Sequence, residues 1–362
     1  MASSSTVTPS RELPCSASSP IAHPPYTISL GPNIVLWVHS AAGIQFGLVR
    51  EQIEVDLGSY GVSVYFVTSN ADAFAFAQVA GVHLKCVVQN WTRTDGNHGK
   101  NLIQQFQSFY VSTKRHIPIL TLSHRMSERP EEAEMCRKLG ESVFTENPKT
   151  RLGKHRLYKW IIDNTLGIEK TVVLIRHGEG EHNVNKDYTL KDPVLTEKGR
   201  AQATKMREAD IPGKLDTQLV VVSPLRRTLQ TALYAFGESY PKVKFYCNPL
   251  LQEIGECASD IGSERLLLKE WFGEEPYSFD ELEDDWYEKK DIYLGKRVPE
   301  RVSRFVSWLR QREERSIIVV SHYGILEMMV GRKFHICEFK IYWLLGNGTW
   351  VPAPDIAERQ RY

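Results

Sequence analysis

The chain has 362 residues, 42% of them hydrophobic, and its 45 lysines and arginines stand against 44 aspartates and glutamates. A hydrophobic share of this size is ordinary for globular proteins and excludes disorder of the whole chain. The near balance of charge excludes an overall basic field that would recruit nucleic acid or an anionic membrane, so any affinity for anions must be local.

The cysteines and the apolar runs bear on the compartment. The six cysteines are scattered without a CxxC pair, which indicates free thiols rather than a zinc knuckle or a dithiol redox motif. No apolar run approaches the roughly 18 residues that a membrane helix needs, and the N-terminus shows no hydrophobic signal core. We therefore expect a cytoplasmic protein.

Residues 1–31 are rich in Ser, Pro and Ala and show no periodic pattern. Such a composition predicts a disordered tail, because it offers too little apolar surface to bury. A plastid transit peptide is the alternative, since Ser-rich and acid-poor segments serve that role, but Arg11 alone supplies positive charge to its first 27 residues.

From residue 32, short apolar runs alternate with stretches of helical length. The runs are NIVLWV, VSVYFV, HLKCVV, IPILTL and SVFT. Short runs rich in β-branched and aromatic residues, separated by amphipathic helices, predict a parallel sheet with helices on both faces. We predict a complete α/β domain over 32–165.

A second series of the same kind begins at Thr171. Its runs are TVVLIRH, LVVVSPLR, VKFYCNPL and SIIVVSHYG, and the stretches between them carry apolar residues at helical spacing. We predict a second α/β domain over 169–346, followed by a tail over 347–362.

Three of the four runs in this second series end in reactive or cationic side chains. Arg176 and His177 follow the first, the segment SPLRR at 223–227 follows the second, and Ser321 and His322 follow the last. In open parallel α/β sheets ligands bind beyond the carboxyl ends of the strands. We therefore expect these residues to converge in space.

The segment SPLRRTLQTALYAF predicts a helix with Ser223 as its N-cap and Pro224 as its first residue. The N-terminus of a helix carries partial positive charge and unpaired N–H groups, and an arginine there adds a planar fork that fits phosphate oxygens. Because arginines at this position oppose the helix dipole, they need an anionic partner. We expect a phosphate to be that partner for at least one of Arg226 and Arg227.

Two arginines and two histidines around one anion favour phosphoryl transfer through a phosphohistidine. A neutral imidazole can attack phosphorus, while the arginines hold the equatorial oxygens and the second histidine neutralises charge in the transition state. This chemistry requires no metal and no cofactor. The leaving alkoxide still needs a proton from a carboxylic acid, and Glu253, Glu256 and Asp260 follow directly after a predicted strand.

A metal hydrolase that uses His177, His182, His322 and Asp260 is the rival hypothesis. The spacing lacks the HxxxH or HExxH geometry that places ligands on one helical face, so we favour phosphohistidine chemistry. A single histidine at a strand end is more often structural, and we interpret His182 and His155 in that way.

Three motifs carry a resemblance to a known family. LIRHGEGEHN resembles the RHG signature of the histidine phosphatase superfamily, which includes the phosphoglycerate mutase-like proteins. SPLRRTLQTA resembles the SPLxRAxQTA segment of that family, and VVSHYGIL resembles its second-histidine motif. The resemblance spans about 169–345 and is closest to the plant and fungal phosphoglycerate mutase-like branch, which resembles phosphatases more than glycolytic mutases.

The resemblance implies a role for each matched residue. His177 would be the phosphorylated nucleophile, Arg176 and Arg227 would hold the phosphate, and His322 would be the second histidine of the phosphate pocket. Arg227 rather than Arg226 aligns with the family arginine.

Two further roles follow from the same resemblance. Glu253 would be the proton donor, with Glu256 and Asp260 close enough in sequence to remain alternatives. Asn183 would line the pocket, because it matches the asparagine that closes the RHG motif.

The segment GEEPYSFDELEDDWYEKKD, residues 273–291, is strongly acidic and aromatic. We expect it to cover the site as a lid, while its composition favours the alternative of a solvated surface loop. As a lid, its charge would repel polyanions such as inositol polyphosphates and favour a modestly charged monoester.

Residues 32–165 are similar to a response-regulator receiver, a flavodoxin-like α/β fold. Where receivers carry acidic residues for magnesium, this chain has His39 and Ser40, and it has Asn90 in place of the phosphoacceptor aspartate and Asn147 in place of a lysine. Without these carboxylates the domain would have neither a magnesium site nor a phosphoryl acceptor. We interpret it as a degenerate receiver that serves docking or regulation.

The sequence thus predicts two three-layer α/β domains, receiver-like over 32–165 and phosphoglycerate mutase-like over 169–346. The predicted function is hydrolysis of phosphomonoesters without a metal, through a phosphohistidine on His177. A phosphoglycerate mutase-type phosphotransferase is the alternative within this chemistry, and a scaffold that binds phosphorylated proteins is the alternative of another class. The expected partners are a small phosphorylated metabolite or phosphopeptide and a protein at the receiver-like domain, without nucleic acid or membrane.

Overall fold

The computed structural model describes residues 32–39, 44–90, 99–122, 130–138, 142–147, 150–239, 242–273 and 275–356. The predicted tail over 1–31, with its transit-peptide alternative, and Ser40 lie outside these residues. The chain divides into two compact units, Met1–Pro148 with Trp160–Leu166 and Lys149–Lys159 with Gly167–Tyr362. In the described part of the chain no helix is long and apolar enough to cross a membrane.

The first unit is built on a five-stranded parallel sheet with the order β2-β1-β3-β4-β5. Its strands are β1 (Ile34–Val38), β2 (Ser63–Val67), β3 (Leu84–Asn90), β4 (Ile119–Leu122) and β5 (Ser142–Phe144). Its helices are α1 (Ile44–Gly58), α2 (Asn70–Ala80), α3 (Gly99–Thr113) and α4 (Pro130–Lys138). Every residue of β1 is buried, as expected for a strand inside a parallel sheet. The prediction of a parallel α/β sheet in this half is confirmed.

The second unit contains a seven-stranded sheet with the order β12-β11-β6-β10-β7-β8-β9. Its strands are β6 (Ile168–Arg176), β7 (Leu219–Val222), β8 (Lys244–Cys247), β9 (Tyr277–Ser278), β10 (Ser316–Ser321), β11 (Phe339–Leu345) and β12 (Trp350–Pro352). The five strands from β6 to β9 in this order pair in parallel, whereas β11 is antiparallel to both β6 and β12.

Eight α-helices lie in the described residues from residue 151 onward. They are α5 (Arg151–Leu166), α6 (Glu181–Val184), α7 (Glu197–Lys205), α8 (Ile211–Leu215), α9 (Arg226–Phe236), α10 (Arg265–Phe272), α11 (Val298–Gln311) and α12 (Tyr323–Val330). The division between the two units falls within α5, whose residues 151–159 belong to the second unit and 160–166 to the first.

The second sheet is covered on both faces. Val173 and Ile175 of β6 belong to one hydrophobic cluster, while Val172 and Leu174 belong to another. Because successive side chains of a strand point to opposite faces, the two clusters lie on opposite sides of the sheet and give three layers.

The register of the central strands sets their carboxyl ends at one edge. Ser321 of β10 pairs with Arg176 of β6, and Val320 pairs with Val222 of β7. Residues that directly follow these strands therefore emerge side by side, as the strand-end pattern predicted.

The prediction of a tail over 347–362 is wrong for residues 350–352. Residues 350–352 form β12, which pairs with β11 through Trp343 and Val351. A strand of three residues is too short to show a periodic pattern in the sequence, and its partner rather than its own composition holds it in the sheet.

The acidic segment 273–291 is neither the predicted lid nor a fully solvated loop. Tyr277, Phe279, Leu282 and Trp286 are each at most 1% exposed and belong to the core cluster that also contains Val173 and Ile175. The acidic residues between them hid this pattern in the composition. The polyanion repulsion that was attributed to a lid therefore lacks its structural basis.

Candidate active site

A pocket of about 200 Å³ opens where the strand-end residues meet. Five of the six residues to which the family resemblance assigned a role line it: Arg176, His177, Asn183, Arg227 and Glu253. The remaining lining comes from His182, Tyr188, Cys257, Ser259, Asp260 and Tyr323. His322 lies against this group, with its ring centroid 5.2 Å from that of His177.

The backbone of His177 is fixed between two neighbouring segments. Its N–H donates to the Ser321 carbonyl at 3.0 Å, and its carbonyl accepts from the Cys337 N–H at 3.0 Å. The next residue, Gly178, donates its N–H to the Thr231 hydroxyl at 3.0 Å. A Cβ on Gly178 would lie 2.7 Å from the Gly199 carbonyl oxygen, so glycine permits this close approach of the loop to α7.

The hydrogen bond of the His177 ring fixes its tautomer. Nδ1 lies 2.7 Å from the Gly178 carbonyl oxygen, and because a carbonyl can only accept, Nδ1 carries the proton. Burial, followed by the charges of Arg227 and Arg176, holds the pKa of His177 well below its ordinary value. The ring is therefore neutral at pH 7, and Nε2 keeps its lone pair.

His322 is fully buried and held by one side-chain contact. Its Nε2 lies 2.8 Å from the Ser223 hydroxyl, while among the described residues its Nδ1 has no hydrogen-bond partner. Burial first, and the charge of Arg227 second, hold its pKa well below the ordinary value. A buried ring nitrogen without a partner next to the pocket is suited to meet a ligand.

Ser223 is not the N-cap that the sequence predicted. Helix α9 begins at Arg226 after an extended Leu225, and its N-cap makes no side-chain hydrogen bond. The Asp192 carboxylate instead accepts the Arg226 N–H at 3.0 Å. The anionic partner that this helix start requires is thus supplied by the protein.

Arg227 points into the pocket from the first turn of α9. Its Nη1 donates to the Ser259 carbonyl at 2.6 Å, and its Nη2 pairs with the Asp260 carboxylate at 3.0 Å. The side chain is 1% exposed, and its Nε has no partner among the residues that the structure describes.

Arg226, the alternative to Arg227, faces elsewhere. Its guanidinium lies 4.5 Å from the centroid of the Trp271 ring, and it does not line the pocket. The structure thus places Arg227 beside His177, as the alignment with the family arginine implied.

Arg176 approaches the pocket from the end of β6. Its Nη1 donates to the Phe334 carbonyl at 2.9 Å, and its guanidinium lies 5.2 Å from the centroid of the Tyr323 ring. Its Nε is buried and unpaired within the described residues. Two guanidinium groups thus approach the pocket that His177 lines.

The three carboxylates considered as proton donors occupy different positions. Glu253 lines the pocket and accepts the Gly324 N–H at the start of α12 and its own neighbouring N–H from Ile254. Glu256 does not line the pocket and accepts the Gly295 N–H at 2.9 Å. Asp260 lines the pocket but holds Arg227.

The pocket residues lie within the part of the chain that matches a known protein family. The sequence profile of the histidine phosphatase superfamily (branch 1) matches residues 172–345. The chain is also 30% identical over 164 residues to the Schizosaccharomyces pombe protein named "Probable phosphatase", a stretch that covers 43% of this chain and 75% of that protein. The chain belongs to the histidine phosphatase superfamily.

The chain is also similar to a plant protein and to a solved phosphatase structure. Phosphoglycerate mutase-like protein 1 of Arabidopsis thaliana is 29% identical over 196 residues, covering 43% of this chain and 69% of that protein. The solved structure of the alpha-ribazole phosphatase from Shigella flexneri is 20% identical, with a TM-score of 0.35, and covers 53% of this chain and 100% of that chain. This histidine phosphatase is an enzyme with phosphatase or phosphoglycerate mutase-like activity.

His182 is a pocket residue of this histidine phosphatase that the sequence interpretation set aside as structural. Asn183 accepts the Gly180 N–H through Oδ1 at 2.9 Å, so its Nδ2 donates to His182 Nε2 at 3.0 Å. Burial lowers the pKa of His182 to about 4. His182 is the second histidine of the LIRHGEGEHN motif, and its spacing gave no indication on which side of the loop its ring lies.

The rival metal site can be compared with the geometry of the pocket. In the described part of the chain no group of three or more His, Cys, Asp or Glu side chains is arranged to hold a metal ion. His155 is buried away from this pocket, with Nδ1 at 2.9 Å from the Pro354 carbonyl oxygen. Its interpretation as structural agrees with this position.

Proposed function

We propose that the second unit hydrolyses phosphomonoesters through a covalent phosphohistidine on His177, without a metal. The observation that carries this proposal is the His177 ring, neutral and with Nε2 unprotonated, beside two arginines whose buried Nε atoms have no partner in the described part of the chain. In the first step, Nε2 forms a bond to phosphorus while the bond to the ester oxygen breaks. Arg176 and Arg227 bind the equatorial oxygens, and His322 supports the charge in the transition state.

Glu253 is the proposed proton donor in this mechanism. It lines the pocket, whereas Glu256 lies outside the lining and the Asp260 carboxylate is occupied by Arg227. In its acid form this carboxyl carries the proton that the leaving group needs. The proton goes to the leaving oxygen, and the resulting carboxylate then accepts a proton from the water that attacks the phosphohistidine.

The test combines turnover with trapping of the intermediate. We expect His177→Ala to reduce phosphate release from phenyl phosphate to background, and acid quenching of the native enzyme to trap acid-labile, base-stable label on the chain. His335→Asn is the matched control, because His335 is exposed and does not line the pocket. EDTA is expected to leave the native rate unchanged, and strong inhibition that zinc reverses would overturn the mechanism.

A mutase can be distinguished from a hydrolase by its need for a bisphosphate primer. A mutase must return the phosphoryl group from the enzyme to substrate and depends on a bisphosphate, whereas a hydrolase releases phosphate without one. Sustained phosphate release without a bisphosphate is the expected result. Activity that appears only after a bisphosphate is added would favour the mutase.

We further propose that the first unit is a degenerate receiver that serves docking or regulation in the cytoplasm. The strand order β2-β1-β3-β4-β5 supports this proposal, since flavodoxin-like sheets share it. At the ligand edge Asn90 ends β3 and His39 follows β1, so neither position offers a carboxylate. The full-length His177→Ala variant should take up no phosphoryl group from acetyl phosphate, and stoichiometric labelling within 32–165 would contradict the proposal. A fluorescent fusion tests the compartment.

A further inference from the structure

The charges in the pocket lining restrict the substrate. Among the described lining residues the cations are Arg176 and Arg227, and the carboxylates are Glu253 and Asp260. Burial keeps the pKa of His177 well below its ordinary value and lowers that of His182 to about 4, so neither ring adds a charge at pH 7. The two arginines are required for the phosphate.

A second anionic group on the substrate would therefore meet an unfavourable surface. Beyond the arginines, the other described lining consists of uncharged groups and two carboxylates. An anion placed in this partly desolvated pocket loses hydration and meets no further cation among the described lining residues.

The mouth of the pocket offers an aromatic surface. Tyr188 lines the pocket and is 50% exposed, and its ring centroid lies 6.3 Å from that of His182. Its carbonyl accepts the Ser259 N–H at 3.2 Å, which fixes this loop to the pocket wall. An exposed aromatic ring that lines a pocket is suited to contact the organic group of a ligand.

We propose that the site selects phosphate monoesters of uncharged alcohols or phenols, whose organic group contacts Tyr188, and discriminates against esters with a second anionic group. This inference rests on the proposed hydrolase function. This preference distinguishes the enzyme from any enzyme that acts on phosphoglycerates, because the carboxylate of a phosphoglycerate would need a third cation in the pocket.

The test uses two phenyl esters that differ by one carboxylate group. We expect kcat/KM for phenyl phosphate to exceed that for 4-carboxyphenyl phosphate by about tenfold or more. Tyr188→Ala should lower kcat/KM for phenyl phosphate about tenfold and leave methyl phosphate little changed, because aromatic contacts contribute about this much. Tyr188→Phe is the control that keeps the ring, and Tyr188→Arg should reduce the preference by supplying a cation.

The outcomes separate this inference from the function on which it rests. If no ester releases phosphate, the proposed hydrolase function fails. If esters are hydrolysed but the carboxylated ester or 3-phosphoglycerate reacts as well as phenyl phosphate, the substrate inference alone is overturned.

A second inference comes from an independent observation behind Glu253. The Lys289 ammonium donates to the Glu253 backbone carbonyl at 2.9 Å. The Arg301 guanidinium, fully buried, donates to the same carbonyl at 3.3 Å and to the Gln252 carbonyl at 2.9 Å. Two cations from different segments of the chain therefore hold the backbone of the proposed proton donor.

The surroundings of Lys289 disfavour its charged form. Burial, and then the charge of Arg301, lower the pKa of Lys289 to about 8, while Asp260 and Glu253 act in the opposite direction and Arg227 adds to the lowering. A lysine with no role beyond the surface could keep its ammonium group in water, where burial would not lower its pKa. The neighbouring Lys290 is exposed and pairs with surface carboxylates.

We infer that Lys289 is a positioning residue that fixes Glu253 for proton transfer to the leaving group. The dependence on the leaving group distinguishes this role from a general structural one. A 4-nitrophenolate leaves with little help, whereas a benzyl alkoxide needs the proton.

We expect Lys289→Met to lower kcat/KM about tenfold to 100-fold for benzyl phosphate and less than about threefold for 4-nitrophenyl phosphate, within the usual range for general-acid catalysis. Lys289→Arg should recover most of the loss, and Lys290→Met is the matched control without effect. Glu253→Gln must show the same dependence on the leaving group, since otherwise the proposed role of Glu253 fails. Equal losses on both esters in Lys289→Met, beside a Glu253→Gln variant that discriminates, would overturn the inference about Lys289.

Discussion

Asp260→Ala removes the carboxylate that pairs with Arg227 at 3.0 Å. The guanidinium, 1% exposed, is left with the Ser259 carbonyl as its hydrogen-bond partner among the described residues. Removal of one partner from a buried ion pair costs about 3–5 kcal/mol of folding free energy. For a unit of this size we expect the melting temperature to fall by roughly 6–20 °C, at about 2–4 °C per kcal/mol.

The same substitution should strengthen the binding of inorganic phosphate. In the native enzyme a bound phosphate shares Arg227 with Asp260, and two unit charges about 6 Å apart repel by about 3 kcal/mol at an effective dielectric constant of about 20. Because part of this gain is lost when the arginine becomes less well oriented, we expect the Kd for phosphate to fall about tenfold. Turnover should fall as well, because tighter binding slows the release of phosphate.

The assay is thermal and urea unfolding with and without phosphate, together with phosphate binding by calorimetry. Asp192→Ala is the matched control, because Asp192 is also buried but binds the Arg226 N–H and Ser263 and does not line the pocket. It should lose stability with an unchanged Kd for phosphate. The reasoning is refuted if Asp260→Ala costs less than about 1 kcal/mol and binds phosphate no tighter than the native enzyme.

Two further predictions concern the loop after β6 and the response to acid. Gly178→Ala should lower kcat/KM at least about 100-fold, because its Cβ would lie 2.7 Å from the Gly199 carbonyl oxygen and displace His177. Gly346→Ala is the control, because its Cβ would meet nothing within 4 Å. Near-native activity of Gly178→Ala would refute the prediction. Burial lowers the pKa of His155 to about 4, so between about pH 4 and pH 6.5 the unfolded chain binds a proton that the folded chain does not. Between pH 7 and pH 5 this histidine should therefore cost about 2 kcal/mol of stability, and His155→Phe should show that much less pH dependence in urea unfolding.

The strand ends were predictable because the information is local. An apolar run that stops at Arg176 identifies the end of a buried strand, and the topology of parallel sheets brings such ends to one edge. The same argument applied to Arg227 and His322. The family resemblance then distinguished Arg227 from Arg226, which helix geometry alone could not do.

The partners of these residues were not predictable, because they depend on packing. Asp260 lies 33 residues from Arg227 in sequence, and its contact with the guanidinium follows from how a loop folds over α9. Composition was also misleading for residues 273–291, where acidic side chains concealed four buried apolar ones. That segment delivers Lys289 to the back of Glu253, a role that no periodicity in the sequence indicates.

The pairing of Arg227 with Asp260 also bears on turnover. A hydrolase must release inorganic phosphate after each cycle, and two fully unpaired arginines in a small pocket would bind that dianion tightly. With Asp260 on Arg227, the described arginines and carboxylates of the lining balance before the substrate arrives. A phosphate then binds only as strongly as the shared guanidinium allows. On this argument Asp260 weakens the binding of product as well as substrate, so Asp260→Ala should change the rate-limiting step from chemistry to phosphate release. A burst of alcohol release before steady state, present in the variant and absent in the native enzyme, is the expected sign of that change.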